Sequence, residues 1–575
     1  MAMNPIVRAQ LNDFKNANDH ELDEDSDFFE VMSIFAVENG ILGENIDPFR
    51  AHLRGQEFGI DGIAISVQGT LCVDADEAES ILSVGRNHVG SFHMYQSKTS
   101  DSLDYGQISK FLDAVYDFFT DLKLLKGDQI EDLVGARDQV FAAATRSNPD
   151  LKCYFCTTGS GEPSPVIRTL IQSNLTKLEA LNVFGSIDIS CLGARHIQEA
   201  FRAATNSSSA SISFPKNMTL PDHDNIEEAY IGYVTADQVL EMALGDEDSQ
   251  GERHINRALF YDNVRDFNPN SEINKSILAE LEEGDLSSFV FKNNGITVVA
   301  KSISRKGDTF TIEDYQIVNG CQTTNILAQA PENAAKISVP LRLIGSSDPD
   351  FISKIIVGTN KQNEVREDQF WALLPFMKDL EIYCSGQDGD ERILIERRDN
   401  QYRDVAIERT RIMKPSDLMK TAAAAFFFQP NRAARDHRGI RKEFADKIFL
   451  RDHSVELYHM AALSLYKFDY LVRTSKVPRT YVINKFFVLF ALVRQFWDTP
   501  DLLEANPRQR SRVRRSVMAI ILDNDRYAAH IENVSDHIDS LISASGAKTR
   551  EQVRDFIRTE SFLESFTKSF FNTSL

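Results

Sequence analysis

The hydrophobic pattern of this 575-residue chain changes character along its length, and this limits the folds that are open to it. Up to about residue 192, amphipathic runs with a helical period alternate with short apolar runs typical of strands. A second mixed region follows, and beyond residue 414 the pattern is almost entirely helical. Alternating helices and strands predict a mixed sheet covered on both faces. We therefore expect an α/β chain with a helical C-terminal domain.

The same changes predict the domain boundaries. A chain of this length is too long for one hydrophobic core, so several domains are expected. Residues 205–225 are rich in Ser, Asn, Thr and Pro, which favours a linker. We predict an N-terminal α/β domain at 1–204, the linker at 205–225, a central α/β module at 226–413 and a helical domain at 414–575.

Composition excludes several classes of protein. The sequence has no apolar run near the roughly 20 residues that a membrane-spanning helix needs. Six cysteines in a chain of this length do not form a disulfide scaffold, so we expect a cytoplasmic protein without membrane contact. The net charge of −22 argues against coating of nucleic acid by long-range attraction. A nuclease is still compatible with it, because local basic patches or bound metal can offset the overall charge.

The polar residues of the N-terminal region that indicate chemistry are Asp61, early in a predicted strand, and Gln96 and Lys98 in a second strand. Because side chains alternate along a strand, Gln96 and Lys98 share a face. Phosphodiester hydrolysis uses a hard cation held by oxygen ligands. We predict that Asp61 and Gln96 bind Mg²⁺ or Mn²⁺. Lys98 would orient the attacking water and stabilise the transition state.

This order of residues resembles the restriction-endonuclease-like superfamily, in which an aspartate precedes Glu/Gln-x-Lys on a neighbouring strand. The Gln form is similar to the Mrr-type branch. The resemblance implies a restriction-endonuclease-like mixed sheet and one more acidic residue at the site. Mrr-like domains often draw that acid from the N-terminal helix, which favours Glu30 as a metal ligand and catalytic residue. Glu38 and Glu57 are the alternatives.

Carboxamide side chains and glycines mark the turns of the central region. The sequence N-N-G-I-T contains Asn293 and Asn294, and I-V-N-G-C-Q-T-T contains Asn319 and Gln322. We expect these four side chains to bind a ligand. In the alternative interpretation, they satisfy backbone groups of tight turns.

The two motifs follow N-V-R-D-F at 263–267, and together they resemble the abortive-infection phage-resistance (AIPR) family over about residues 227–400. Members of that family often carry an Mrr-like nuclease domain ahead of this module. The resemblance implies an antiphage endonuclease that acts on nucleic acid, DNA in preference to RNA, with a phage-derived or nucleotide trigger and a homodimeric assembly. The alternative is a nucleotide or nucleic-acid sensor whose nuclease domain is degenerate.

The most basic stretch of the helical domain contains five arginines within eight residues: Arg508, Arg510, Arg512, Arg514 and Arg515. Such a cluster can contact phosphate groups. On a helix the five side chains spread around the surface, so a solvated face is the alternative.

Overall fold

The computed structural model has two mixed sheets and a helical C-terminal part, which confirms the predicted α/β class with a helical end. It describes residues 3–18, 22, 24–54, 58–83, 88–145, 147–205, 208–247, 253–256, 259–260, 278–279, 281, 286–359, 371, 374–397, 401–402, 407–434, 437–444 and 446–572.

The N-terminal domain contains five strands and eight α-helices within the described residues. In chain order they are α1 Pro5–Ala17, α2 Asp25–Phe35, α3 Pro48–Ala51, β1 Gly62–Val67, β2 Thr70–Cys72, α4 Ala75–Leu82, β3 Gly90–Lys98, α5 Tyr105–Phe118, α6 Asp128–Ala143, β4 Asp150–Thr157, α7 Pro165–Glu179, β5 Ile187–Leu192 and α8 Ala194–Thr205. A π-helix, Ala36–Ile41, continues α2 directly.

The first sheet has the strand order β2-β1-β3-β4-β5. Strand β1 is antiparallel to both of its neighbours, whereas β3, β4 and β5 run parallel. Helices α1, α2 and α8 bury apolar side chains against one face, where Tyr95 and Tyr154 point. Helices α5, α6 and α7 cover the other face, where Phe92 and Met94 point. The sheet is therefore covered on both faces, as the alternating pattern predicted.

The elements of the central part are β6 Ser209–Ser213, β7 Lys216–Thr219, β8 Glu228–Thr235, α9 Ala236–Ala243, β9 Leu244–Glu247, β10 Arg253–Ile255, α10 Phe289–Lys292, β11 Ile296–Lys306, β12 Thr309–Asn319, α11 Cys321–Gln329, β13 Ser338–Gly345 and α12 Pro349–Thr359. The second sheet has six of these strands, in the order β6-β12-β11-β13-β8-β7. Only β11 and β13 pair in parallel within this sheet, and its other pairs are antiparallel.

The segment expected to be a linker, residues 205–225, instead supplies β6 and β7, the two edge strands of this sheet. An edge strand meets solvent along one side, so Ser, Thr and Asn suit it as well as they suit a linker. Ile212 is 1% exposed, and Phe214, just after β6, is fully buried. These two apolar side chains anchor the segment in the core of the central sheet.

The C-terminal part is helical. Its elements are α13 Pro375–Ser385, β14 Leu394–Ile395, β15 Ile412–Met413, α14 Pro415–Ala425, α15 Pro430–Ala433, α16 His437–Phe444, α17 Val455–Arg473, α18 Lys485–Arg494, α19 Pro507–Ile521, α20 Asn524–Ser545, α21 Arg550–Ile557 and α22 Glu560–Asn572. Its hydrophobic core reaches back to Trp371. No helix among the described residues is long and apolar enough to span a membrane.

The N-terminal domain packs against this helical part through polar contacts. Arg54 Nη1 donates to the Arg473 carbonyl at 2.5 Å, and Asn45 Nδ2 donates to the Glu396 carboxylate at 3.0 Å. Arg550 also forms an ion pair of 2.6 Å with Asp132 of α6. The contacts at Asn45 and Arg54 flank the segment that leads into β1.

Candidate active site

Asp61 is fixed by the backbone on both sides. Its carbonyl accepts a hydrogen bond from Leu53 N at 2.8 Å, and its own N–H donates to the Tyr95 carbonyl at 2.8 Å. Gly62, the first residue of β1, lets α2 approach closely, because a β-carbon there would lie 2.5 Å from Ile34 Cδ1. Ile34 lies one turn beyond Glu30 on α2. The close approach therefore brings Glu30 to the start of β1.

The side chains of Gln96 and Lys98, both predicted from the sequence, meet the carboxylate of Asp61. Asp61 Oδ2 accepts hydrogen bonds from the Gln96 side-chain amide and, at 2.7 Å, from the Ser97 backbone N–H. Lys98 Nζ lies 3.5 Å from the same oxygen. Gln96 is buried, whereas about a third of the Lys98 side chain is exposed. The lysine can therefore reach both the carboxylate and solvent.

Glu30 completes this group. Its carboxyl interacts electrostatically with that of Asp61, and its Oε2 lies 2.8 Å from His52 Nε2. Burial, followed by the nearby Arg54, lowers the pKa of His52 to about 4, so the imidazole is neutral at pH 7. The Nε2–H tautomer then donates to Glu30. His52 did not emerge from the sequence, because a single histidine with no spacing partner gives no signal.

The carboxyl groups of Glu30 and Asp61 both have raised pKa values, because ionisation is unfavourable where they lie. Burial raises the pKa of Glu30 to about 7, an effect that Lys98 opposes and Asp27 reinforces. Burial and the neighbouring Glu30 together raise the pKa of Asp61 to about 6, against the opposing effects of Lys98 and the Ser97 N–H. Two partly buried carboxyls share one ammonium group, so the site favours an additional cation.

The donor set fits a hard divalent cation. Such ions take carboxylate and amide oxygens, and Mg²⁺ keeps several water ligands. Asp61 and Glu30 offer carboxylate oxygens, and a half-turn of the Gln96 amide would present its oxygen in place of its nitrogen. Lys98 cannot bind a cation and would remain free for catalysis.

Of the two alternative acids, Glu38 does not join this group. It is fully buried and bonds His93 and Tyr95, which lie on the opposite face of β3 from Gln96. Glu57 lies outside the described residues.

The predicted carboxamide site lies in the second sheet, where its two turns are adjacent. Asn293 Nδ2 donates to Thr323 Oγ1 at 2.9 Å, and Asn293 Oδ1 accepts from Gly295 N at 2.8 Å. Asn319 ends β12 and is half-buried. It precedes Gly320, whose φ of 111° begins α11.

The four carboxamides therefore have different environments. Asn293 serves a turn, as the alternative interpretation proposed. Asn294 and Gln322 are exposed to solvent. Asn319 precedes Gln322 by three residues and pairs with Thr297 of β11 in the sheet. The motif at 263–267 lies outside the described residues.

The arginine cluster lies on α19. Arg508, Arg512 and Arg515 are exposed. Arg514 is half-buried, and its Nη2 donates to Tyr383 Oη at 3.2 Å. The exposed arginines are therefore the ones available to phosphate groups.

The described residues thus form an α/β protein with two large sheets, a helical C-terminal core and a carboxylate–lysine group at the first sheet. Residues 260–542 match the model of the family described as AIPR protein. The match supports the family resemblance that the central motifs indicated, and it supports a role in abortive infection. It begins at residue 260 rather than 227, extends past residue 400 into α20, and does not include the first sheet. No curated protein and no solved structure matches the chain significantly.

Proposed function

We propose that this chain is a phage-defence protein whose N-terminal domain is a restriction-endonuclease-like, metal-dependent nuclease. The convergence of Glu30, Asp61, Gln96 and Lys98 carries this proposal. Glu30 lies on α2, Asp61 directly before β1, and Gln96 and Lys98 on β3, and their proximity supports the proposal. The family match of residues 260–542 supports the antiphage context.

Each residue of the group has a chemical task in this proposal. Asp61 and Glu30 would hold Mg²⁺ or Mn²⁺, with the Gln96 amide oxygen as a neutral ligand. The bound cation would neutralise charge on the phosphate and lower the pKa of a bound water. Lys98 would donate to the attacking water and to the phosphate oxygens as negative charge develops. His52 would orient the Glu30 carboxylate through its hydrogen bond of 2.8 Å.

Cleavage assays on supercoiled plasmid DNA and on single-stranded RNA, with Mg²⁺ or Mn²⁺, test this proposal. We expect cleavage of DNA in preference to RNA. Asp61→Asn should remove both Mn²⁺ binding at this site and cleavage. Lys98→Ala should keep Mn²⁺ binding and lower the cleavage rate about 10²-fold or more, as expected for loss of one charge stabiliser.

Lys123→Ala is a matched control, because Lys123 is exposed on the same domain and forms an ion pair with the exposed Asp121. Its cleavage should equal that of the wild type. Equal cleavage by wild type and Lys98→Ala at saturating Mn²⁺ would remove this group from the mechanism.

The neutral ligand Gln96 is the observation that favours the second candidate, a nucleotide or nucleic-acid sensor with a degenerate nuclease domain. A glutamine brings no charge to the cation, and its amide hydrogen-bonds Asp61. In that case the wild type would bind a nucleotide or nucleic acid without cleaving either polymer with either metal.

A further inference from the structure

A second group of ligand-type side chains lies on the opposite face of β3 from Gln96 and Lys98. It consists of Glu38 in the π-helix, Glu44 in the loop that follows, and His93 in β3. One ligand atom from each residue lies within 4.8 Å of the other two. None of these residues takes part in the proposed nuclease chemistry.

Buried polar atoms of this group have no partner. Glu38 Oε1 accepts from His93 Nδ1 at 2.9 Å and from Tyr95 Oη at 2.6 Å. Among the described residues, Glu38 Oε2, Glu44 Oε2 and His93 Nε2 are buried without any hydrogen-bond partner. Glu38 is 0% exposed and His93 is 1% exposed. Buried carboxylates of native proteins are normally paired or bind a metal ion.

The protein groups around this cluster leave carboxylate oxygens without a hydrogen bond. Glu38 and Glu44 face His93, and Lys152, which pairs with His93 across the sheet, acts on the imidazole electrostatically. Among the described residues, neither cation gives a hydrogen bond to Glu38 Oε2 or Glu44 Oε2. A divalent cation would neutralise both and would give the unpaired Glu38 and Glu44 oxygens a ligand role. One imidazole nitrogen and two carboxylates are ligands that Zn²⁺ accepts, and carboxylates also suit Mn²⁺.

The spacing suits one small ion. Ligand bonds of about 2.1 Å place two ligands of one Zn²⁺ at most about 4.2 Å apart. Atoms already within 4.8 Å therefore need only small side-chain rotations to meet a shared ion.

The backbone around the group is tightly held. The Glu44 N–H donates to the Glu38 carbonyl at 2.7 Å, which closes the loop between the two acids. A β-carbon at Gly40 would lie 2.0 Å from the Ala200 carbonyl oxygen, so α8 packs directly on the π-helix. Short π-helical segments are frequent at functional sites. The ligands are thus presented by a rigid frame.

We propose that Glu38, Glu44 and His93 bind one divalent transition-metal ion, Zn²⁺ or Mn²⁺, at a site separate from Asp61. The ion would join the π-helix to β3. Since α2 runs into the π-helix and β3 continues to Gln96, the same ion would fix the two elements that carry the candidate nuclease residues.

Metal titration of the full chain in an Asp61→Asn, Glu30→Gln background tests this proposal without interference from the first site. After chelator treatment and dialysis, Zn²⁺ and Mn²⁺ are titrated by calorimetry, and the bound metal is measured by mass spectrometry. We expect about one equivalent of one of the two ions. Adding Glu44→Gln, a partly exposed and nearly isosteric change, should raise Kd about 100-fold or more, at the upper end of losses seen for supporting residues of metal sites.

Three results would overturn the proposal: no binding of either ion by the background variant, an unchanged Kd after Glu44→Gln, or an unchanged Kd after His93→Gln in a folded protein. Any of these results would mean that Glu38 and His93 form only a buried ion pair. Circular dichroism identifies a variant that fails to fold, and if His93→Gln does so, the Kd of Glu44→Gln tests the proposal. Failure of the nuclease proposal would look different, with no cleavage by the wild type and intact Zn²⁺ or Mn²⁺ binding here.

Discussion

Replacement of Glu30 by glutamine should stabilise the metal-free protein at pH 8. Burial raises the pKa of this carboxyl from 4.5 to about 7. At about 1.4 kcal/mol per pKa unit, the ionised form costs the fold roughly 3 kcal/mol relative to the protonated form. Glutamine does not ionise, and its amide oxygen can still accept the hydrogen bond from His52.

The sign of the pH dependence follows from the raised pKa. The folded state holds the Glu30 proton more tightly than the unfolded state does. The free energy of unfolding that the protonated Glu30 contributes is therefore fully present below about pH 4.5, and it is lost as the pH rises through about 7. The free energy of unfolding of Glu30→Gln should therefore exceed that of the wild type by nearly zero at pH 4.5 and by about 3 kcal/mol at pH 8.

Hydrogen exchange resolved to the peptides of β1 and β3 is the suitable measurement, because Trp371 and Trp497 both lie in the helical part and do not report on this domain. Exchange of variant and wild type is compared at each pH in chelator, with the exposed Glu179→Gln as control. Mn²⁺ at 1,000 times its Kd should reverse the order, since it stabilises the wild type by about 4.1 kcal/mol, which exceeds the advantage of about 3 kcal/mol that the variant has at pH 8. Equal protection of variant and wild type at pH 8 would refute the reasoning.

Three other changes have defined outcomes. Gln96→Glu should raise Mn²⁺ affinity about tenfold or more, because it adds a charged ligand, and calorimetry measures this. Asn319→Ala and Gln322→Ala should abolish phage defence in plating assays while shifting Tm by less than about 4 °C, and a larger shift would indicate a structural role. Arg512→Gln with Arg515→Gln should lower the salt dependence of nucleic-acid binding by about 0.7 to 0.9 in slope per lost contact, and an unchanged slope would assign these arginines to a solvated face.

The sequence could predict the part of the candidate site that depends on strand periodicity. Gln96 and Lys98 are two residues apart on one strand, so their shared face follows from alternation alone. Asp61 could be added because a glycine and an apolar run follow it. The position of Glu30 depends on how α2 packs over Gly62, which is a tertiary contact, and only the resemblance to Mrr-like domains pointed to it.

Two other features could not be read from local patterns. His52 reaches Glu30 because an isolated bridge pairs it with Gly62, and that pairing leaves no periodic signal. Edge strands β6 and β7 have the composition of a linker, since solvent satisfies their outer edges. A polar composition indicates exposure to water, and linkers and edge strands are both exposed to water.

The contacts between the two parts of the chain link the family-matched region to the candidate active site. Arg473 and Glu396 belong to the matched region, and they accept hydrogen bonds from Arg54 and Asn45. Arg54 follows Leu53, whose N–H holds the Asp61 carbonyl. A ligand or partner that displaces Arg473 would therefore act on the backbone that positions Asp61, through two successive hydrogen bonds. In the proposed nuclease, this series of contacts would couple the family-matched region to the catalytic group.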